Sequence, residues 1–201
     1  MNLKLSIIVF LVCLGQIVPV CGQTNPESFF VKYITMETDP NPRFVWSYAN
    51  MIISWDKESN NDEVSCLKKE LMKTGLFNKI ESRLNKLKES DDYELVLTIK
   101  YNSPNPTYKV SEIKLIGFKE VDESRFKELL ISENLIGKSL SLKTDYPDFE
   151  NKIIELVKES ITDETKKEEF KIPWFELTLN KNKDLEVTVM PNFKGCSEIS
   201  Q

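Results

Sequence analysis

The chain contains no histidine. That absence removes the commonest general base, the commonest zinc ligand and every Ser-His or Cys-His nucleophile pair. Glycine is scarce, six in 201 residues, and no glycine-rich run is present to cradle a phosphate or a dinucleotide. Gly137-Lys138-Ser139 ends like a phosphate-binding loop, but position 132, where that loop needs a glycine, is Ser132. No block of positive charge is present either. Basic residues number 27 against 32 acidic, a net charge of −5, and the signs are interspersed, which argues against a nucleic-acid partner. Long apolar runs are missing beyond the first residues, so nothing later in the sequence is suited to crossing a bilayer.

What is present begins with an address label. Lys4 supplies a short positive region, residues 5–14 are an apolar run, and Gly15, Gln16 and Pro19 interrupt it. Ten residues fall well short of the roughly 20 that span a bilayer core. Val20-Cys21-Gly22 then offers small residues for cleavage before Gln23, so residues 1–22 are expected to be a secretory signal peptide. The rival is a lipoprotein signal with a lipid anchor on Cys21; Val20 counts against it, since Gly, Ala or Ser usually precedes a lipidated cysteine. The expected location is therefore exported, secreted or periplasmic, with lipid anchoring as the alternative.

Of four cysteines, Cys13 and Cys21 fall in the signal, and Cys66 and Cys196 are too far apart for a C-x-x-C redox or zinc site. An exported protein meets an oxidising compartment. Cys66 and Cys196 are thus either a disulfide tying the first helical region to the tail, or a buried thiol and a loose one.

Carboxylate pairs are the remaining candidates for chemistry. Asp91-Asp92 lies in a hairpin turn, Glu168-Glu169 in a charged connector and Asp62-Glu63 at a helix start. Paired acids catalyse only when buried and held opposite each other, and these positions are where solvated acids sit. Asn60-Asn61-Asp62-Glu63 lacks the spaced ligands and central glycine of a calcium loop. The sequence therefore describes no enzyme, and no cofactor or metal is expected.

The hydropathy pattern is more informative. Residues 29–38 alternate like a strand, and Asp39-Pro40-Asn41-Pro42 is a turn. Residues 44–55 are apolar enough for a buried helix or a strand. Asp62 is a plausible N-cap for a helix over 63–73, with Val64, Leu67, Leu71 and Met72 on one face. Thr74-Gly75 breaks that helix. A hairpin follows, in which Ile80, Ser82, Leu84 and Lys86 alternate on one strand and Tyr93, Leu95, Leu97 and Ile99 on the next. Ser103-Pro104-Asn105-Pro106 marks a boundary. The second half repeats the order: a strand over 108–118, a helix over 123–132 capped by Asp122, a loop at Gly137-Lys138-Ser139-Leu140-Ser141, and a helix opened by Tyr146-Pro147 or Asp148. The charged run 162–169 reads as a helix end and solvated connector. Strands over 174–180 and 184–190 flank Asn180-Lys181-Asn182-Lys183. The expected fold class is α+β: two tandem β-α-α-β-β units, each a small mixed sheet with two helices packed on one face.

These residues resemble the polypeptide-transport-associated (POTRA) domain. The segment 110–118 is similar to that family's first strand with its closing Gly117, and 137–141 is similar to the loop between its helices. In the first unit, 71–77 followed by Lys79-Ile80 is similar to the end of helix two and the entry to the second strand. The resemblance divides the chain into unit 1 (23–103), unit 2 (107–192) and a tail (193–201). Family members usually precede an outer-membrane β-barrel or follow a membrane anchor, and this sequence shows neither, so insertion or secretion is not carried over. The first unit also has Asp39-Pro40 where the family has glycine. What the resemblance implies is a binding mode, in which an extended segment of another protein adds to an exposed strand edge beside a helix. The implied edges are 80–88 and 174–180, with Leu84, Lys86, Trp174, Glu176 and Thr178 as partner-binding residues. The partner would be an envelope or secreted protein. The alternative function is binding of a small apolar ligand or lipid between helices and sheet. Trp174 and Phe175 point to opposite faces of any strand, so only one of them can serve the core of its own sheet.

Overall fold

The computed structural model describes residues 26–37, 43–53 and 58–193. The signal segment with Cys21, and Cys196 in the tail, lie outside the described residues. The first unit runs through β1 (Ser28–Phe29), β2 (Val31–Glu37), α1 (Arg43–Ile52), β3 (Ser59–Asn60), α2 (Asn61–Lys73), β4 (Phe77–Lys86) and β5 (Tyr93–Tyr101). Its main sheet has the order β2-β5-β4, with β2 parallel and β4 antiparallel to β5.

The ambiguous segment after residue 43 is a helix. Phe44, Val45, Tyr48, Ala49 and Ile52 recur at helical spacing and are buried. α2 starts earlier than the sequence suggests. Its cap is Asn60, whose side chain accepts from Glu63 N at 2.9 Å, and Asp62 lies instead in the first turn, where its charge complements the helix dipole. At the other end the Thr74 hydroxyl donates to Leu71 O at 2.6 Å. Gly75 follows at φ +72°, a left-handed conformation that glycine adopts without a Cβ clash. The chain turns there into β4. Ile80, Leu84, Leu95, Leu97 and Ile99 then face α1 and α2 and are all buried, with Leu95 and Leu97 at 0% exposure.

The second unit comprises β6 (Thr107–Leu115), α3 (Glu123–Ser132), β7 (Ser139–Ser141), α4 (Tyr146–Glu159), α5 (Glu164–Glu168), β8 (Trp174–Leu179) and β9 (Leu185–Met190). Its strands lie in the order β7-β6-β9-β8. Asp122 caps α3 as expected, accepting from Ser124 N and Arg125 N. Two expectations change. The segment 137–141 is more than a loop, because Ser139 to Ser141 pair with the start of β6. The charged run contains a separate short helix, α5, capped by Asp163 and with no buried residue.

The two units are docked. Phe44 meets Tyr146 at 5.7 Å between ring centroids, and Tyr48 meets Trp174 at 4.4 Å. Leu179 N donates to Thr74 O at 2.9 Å, and the Arg43 Nε lies 3.2 Å from Glu150 Oε2. One apolar cluster runs through both units.

Candidate functional site

β4 is an edge strand. Its register with β5 decides which of its main-chain groups are spent. Leu87 N donates to Asp92 O at 3.0 Å, and Asn85 then lies opposite Glu94 and Arg83 opposite Val96. By antiparallel alternation, the amides and carbonyls of Ile80, Ser82, Leu84 and Lys86 face away from β5. Among the described residues no strand pairs with that side. The side chains of the same four residues turn toward the helix face: Ile80 and Leu84 are buried, Ser82 is half-buried and Lys86 is exposed. α2 runs alongside, and Asn61, Val64, Ser65 and Lys68 form with Ser82, Arg83 and Leu84 an open groove of about 260 Å³. Lys86 Nζ lies 2.8 Å from Asp91 Oδ1. That hydrogen bond raises the Lys86 pKa and lowers that of Asp91, although a pair this exposed contributes little to stability.

The opposite face of the sheet is closed by polar side chains. Arg83 grips Glu37 with two nitrogens, at 2.5 and 3.2 Å, and Thr98 donates to the same carboxylate at 3.1 Å. Glu94 accepts from Thr35 at 2.6 Å and Asn85 at 3.0 Å, and these bonds hold its carboxyl below the ordinary range. Val96 lies on this face and is only 2% exposed. Of the residues expected from the sequence, Leu84 lines this groove and Lys86 lies further along the same strand; Asn61, Ser65 and Lys68 were not among the expected residues. Their spacing along α2, with positions 61, 64, 65 and 68 on one face, was a signal; which strand that face overlooks was not.

The second expected edge differs. Asn180 N donates to Asp184 O, so Thr178 pairs with Glu186 and Glu176 with Thr188. The amides of Leu177 and Leu179 then point outward, and unit 1 takes both. Leu179 N reaches Thr74 O, and the Leu177 main chain hydrogen-bonds the Tyr48 hydroxyl. Burial raises the Tyr48 pKa strongly, with Glu176 and Glu70 adding to it. Trp174 is 5% exposed and packs on Tyr48 and on Phe193, 4.6 Å away, while Phe175 serves the core of its own unit. Trp174, expected to face a partner, faces the other unit instead. Glu176 and Thr178 share its side of β8 and are half-buried.

The remaining expectations concern chemistry. The Asp91 side chain is fully exposed and that of Asp92 is 35% exposed. Glu168, Glu169 and Asp62 are exposed. Among the described residues no group of three or more His, Cys, Asp or Glu could hold a metal ion. Nor is any described helix long and apolar enough to cross a membrane. Cys66 is buried on α2, and its expected partner Cys196 lies outside the described residues. Leu67, Leu71, Leu95 and Leu97, each 0% exposed, fill the space between α2 and its sheet that the apolar-ligand alternative would use.

No family model matches the chain, and no curated protein matches it. Among solved structures it is similar to the N-terminal domain of Omp85 from the thermophilic cyanobacterium Thermosynechococcus elongatus, with a TM-score of 0.33 and 11% identity over 83% of this chain. It spans 63% of that structure's length. It is similar also to POTRA1-2 of the periplasmic domain of Omp85 from Anabaena, with a TM-score of 0.33 and 12% identity over 83% of this chain and 97% of that one. A third is Haemophilus influenzae BamA POTRA3-5, at 0.33 and 8% over 81% of this chain and 60% of that one. Likenesses of this size carry no functional weight. The fold is POTRA-like on its own topology: in each unit a strand and then helices precede an antiparallel hairpin whose last strand pairs in parallel with the unit's leading long strand, β2 with β5 and β6 with β9.

Proposed function

We propose that this chain is a non-enzymatic protein-binding module that takes an extended segment of an envelope or secreted partner as an added strand along β4. One observation carries the proposal: among the described residues no strand meets the outward amides and carbonyls of Ile80, Ser82, Leu84 and Lys86, and a groove against α2 lies beside them. An extended chain pairing there would satisfy its own backbone on the edge and seat alternate side chains in the groove. Leu84 and Lys86 keep the role expected of them, while Trp174 packs on Tyr48 of unit 1 and Glu176 and Thr178 share its side of β8. The division at 103–107 and export by residues 1–22 are part of the same reading. So is the pairing of Cys66 with Cys196, which would strap the tail of the second unit to α2 of the first.

Ser82→Pro is the decisive variant. The Ser82 N–H points away from β5, so proline removes a donor the fold does not use, and edge strands tolerate proline on that side. A photo-reactive residue at Lys86 should capture a protein in intact cells, and Ser82→Pro should abolish the capture with the melting temperature unchanged. Capture that persists in a folded Ser82→Pro protein refutes strand addition at this edge.

A further inference from the structure

Two cations line the groove, Lys68 and Arg83. Arg83 is matched, gripping Glu37. Lys68 is not. It is half-buried on the groove wall, and among the described residues no carboxylate pairs with it. The nearest acid along its own helix, Glu70, is engaged by Lys73. An ammonium on the groove wall without a counter-charge attracts a carboxylate delivered beside it.

Strand geometry fixes where that carboxylate must be. On a strand added beside β4, alternate side chains face α2 and the others lie over the polar Arg83–Glu37 face. The groove-facing positions meet two environments in succession: the apolar Leu84 and Val64 at one end, then Ser82, Ser65 and Lys68. Resting on the strand-addition reading above, we propose that the segment this edge selects carries an apolar side chain at one groove-facing position. Two residues away it carries an acidic side chain, which pairs with Lys68. Lys68 is the specificity-determining residue, and the backbone ladder supplies most of the affinity.

The test uses the intact exported chain and three fluorescent alternating peptides, identical except for Glu, Gln or Lys at the second groove-facing position. The Glu peptide should bind roughly fivefold more tightly than the Lys peptide at low salt, with Gln between them. The preference should fade in 1 M salt, where the screening length is about 3 Å, and should reverse in Lys68→Glu. Equal affinity for all three peptides, or a preference unchanged by Lys68→Glu, overturns the role of Lys68. In either case strand addition survives if Ser82→Pro still abolishes binding. No binding by any peptide overturns the edge itself.

Discussion

Replacing Trp174 by alanine should undock the two units. The ring is 5% exposed and lies 4.4 Å from Tyr48 and 4.6 Å from Phe193. It faces unit 1, whereas Phe175 and Leu177 fill the core of its own unit, so the loss falls on the interface. Truncating a buried Trp of this kind costs about 3–5 kcal/mol. Docking is what places the Leu177 main chain on the Tyr48 hydroxyl and Leu179 N on Thr74 O. Residue-resolved amide hydrogen exchange reads those contacts directly. In the unaltered protein Leu177 and Leu179 should be protected although β8 is an edge strand, whereas Ser82 and Leu84 on the β4 edge should exchange freely. In Trp174→Ala, about 3 kcal/mol corresponds to roughly a hundredfold faster exchange at Leu177 and Leu179. Glu176 and Thr178, paired with β9, should change far less. Exchange at Leu177 and Leu179 as fast as at Ser82 in the unaltered protein would refute the docking argument. So would a folded Trp174→Ala in which neither rate moves.

Three further outcomes follow from the geometry. Burial raises the pKa of Glu150, against the opposing effects of Arg43 and the Tyr146 hydroxyl, so its contribution is complete below the ordinary value of 4.5 and is lost as pH rises through the raised one. Between pH 4.5 and neutrality the unaltered protein should therefore lose stability relative to Glu150→Gln, and identical pH slopes in denaturant titrations would contradict this. A Cys66–Cys196 disulfide closing so long a loop is worth about 5 kcal/mol on the chain-entropy account; a protein spanning residues 23–201, made in an oxidising compartment and denatured without reductant, should take up no thiol label, and two labels would rule the bond out. Gly75→Ala places a Cβ 3.5 Å from that of Leu179, an ordinary contact, but forces alanine to φ +72°. It should cost about 1–2 kcal/mol, and an unchanged urea midpoint would show that the turn relaxes.

Local pattern determined much of this protein. The alternation of Ile80, Ser82, Leu84 and Lys86 set the inward face of β4. Asp122 marked the start of α3, and Thr74-Gly75 marked the break after α2, because capping and left-handed backbone depend on a few neighbouring residues. Other local choices were underdetermined. Residues 44–52 are apolar enough for helix or strand, and packing against the sheet settled them as α1. Asn60 and Asp62 could both cap α2, and the shape of the entering chain chose Asn60.

The proposed binding edge was half legible. From the sequence, β4 and β8 are equivalent second strands of two similar units, and nothing local distinguishes them. Tertiary structure separates them, because Tyr48 of α1 packs against β8 and, with Thr74 after α2, takes the amides that an added strand would need. Tyr48 and Leu177 are far apart in sequence, and hydropathy periodicity carries no information about which distant surface a strand edge meets. The sequence by itself determined what each strand is; docking alone decided which of them is left open.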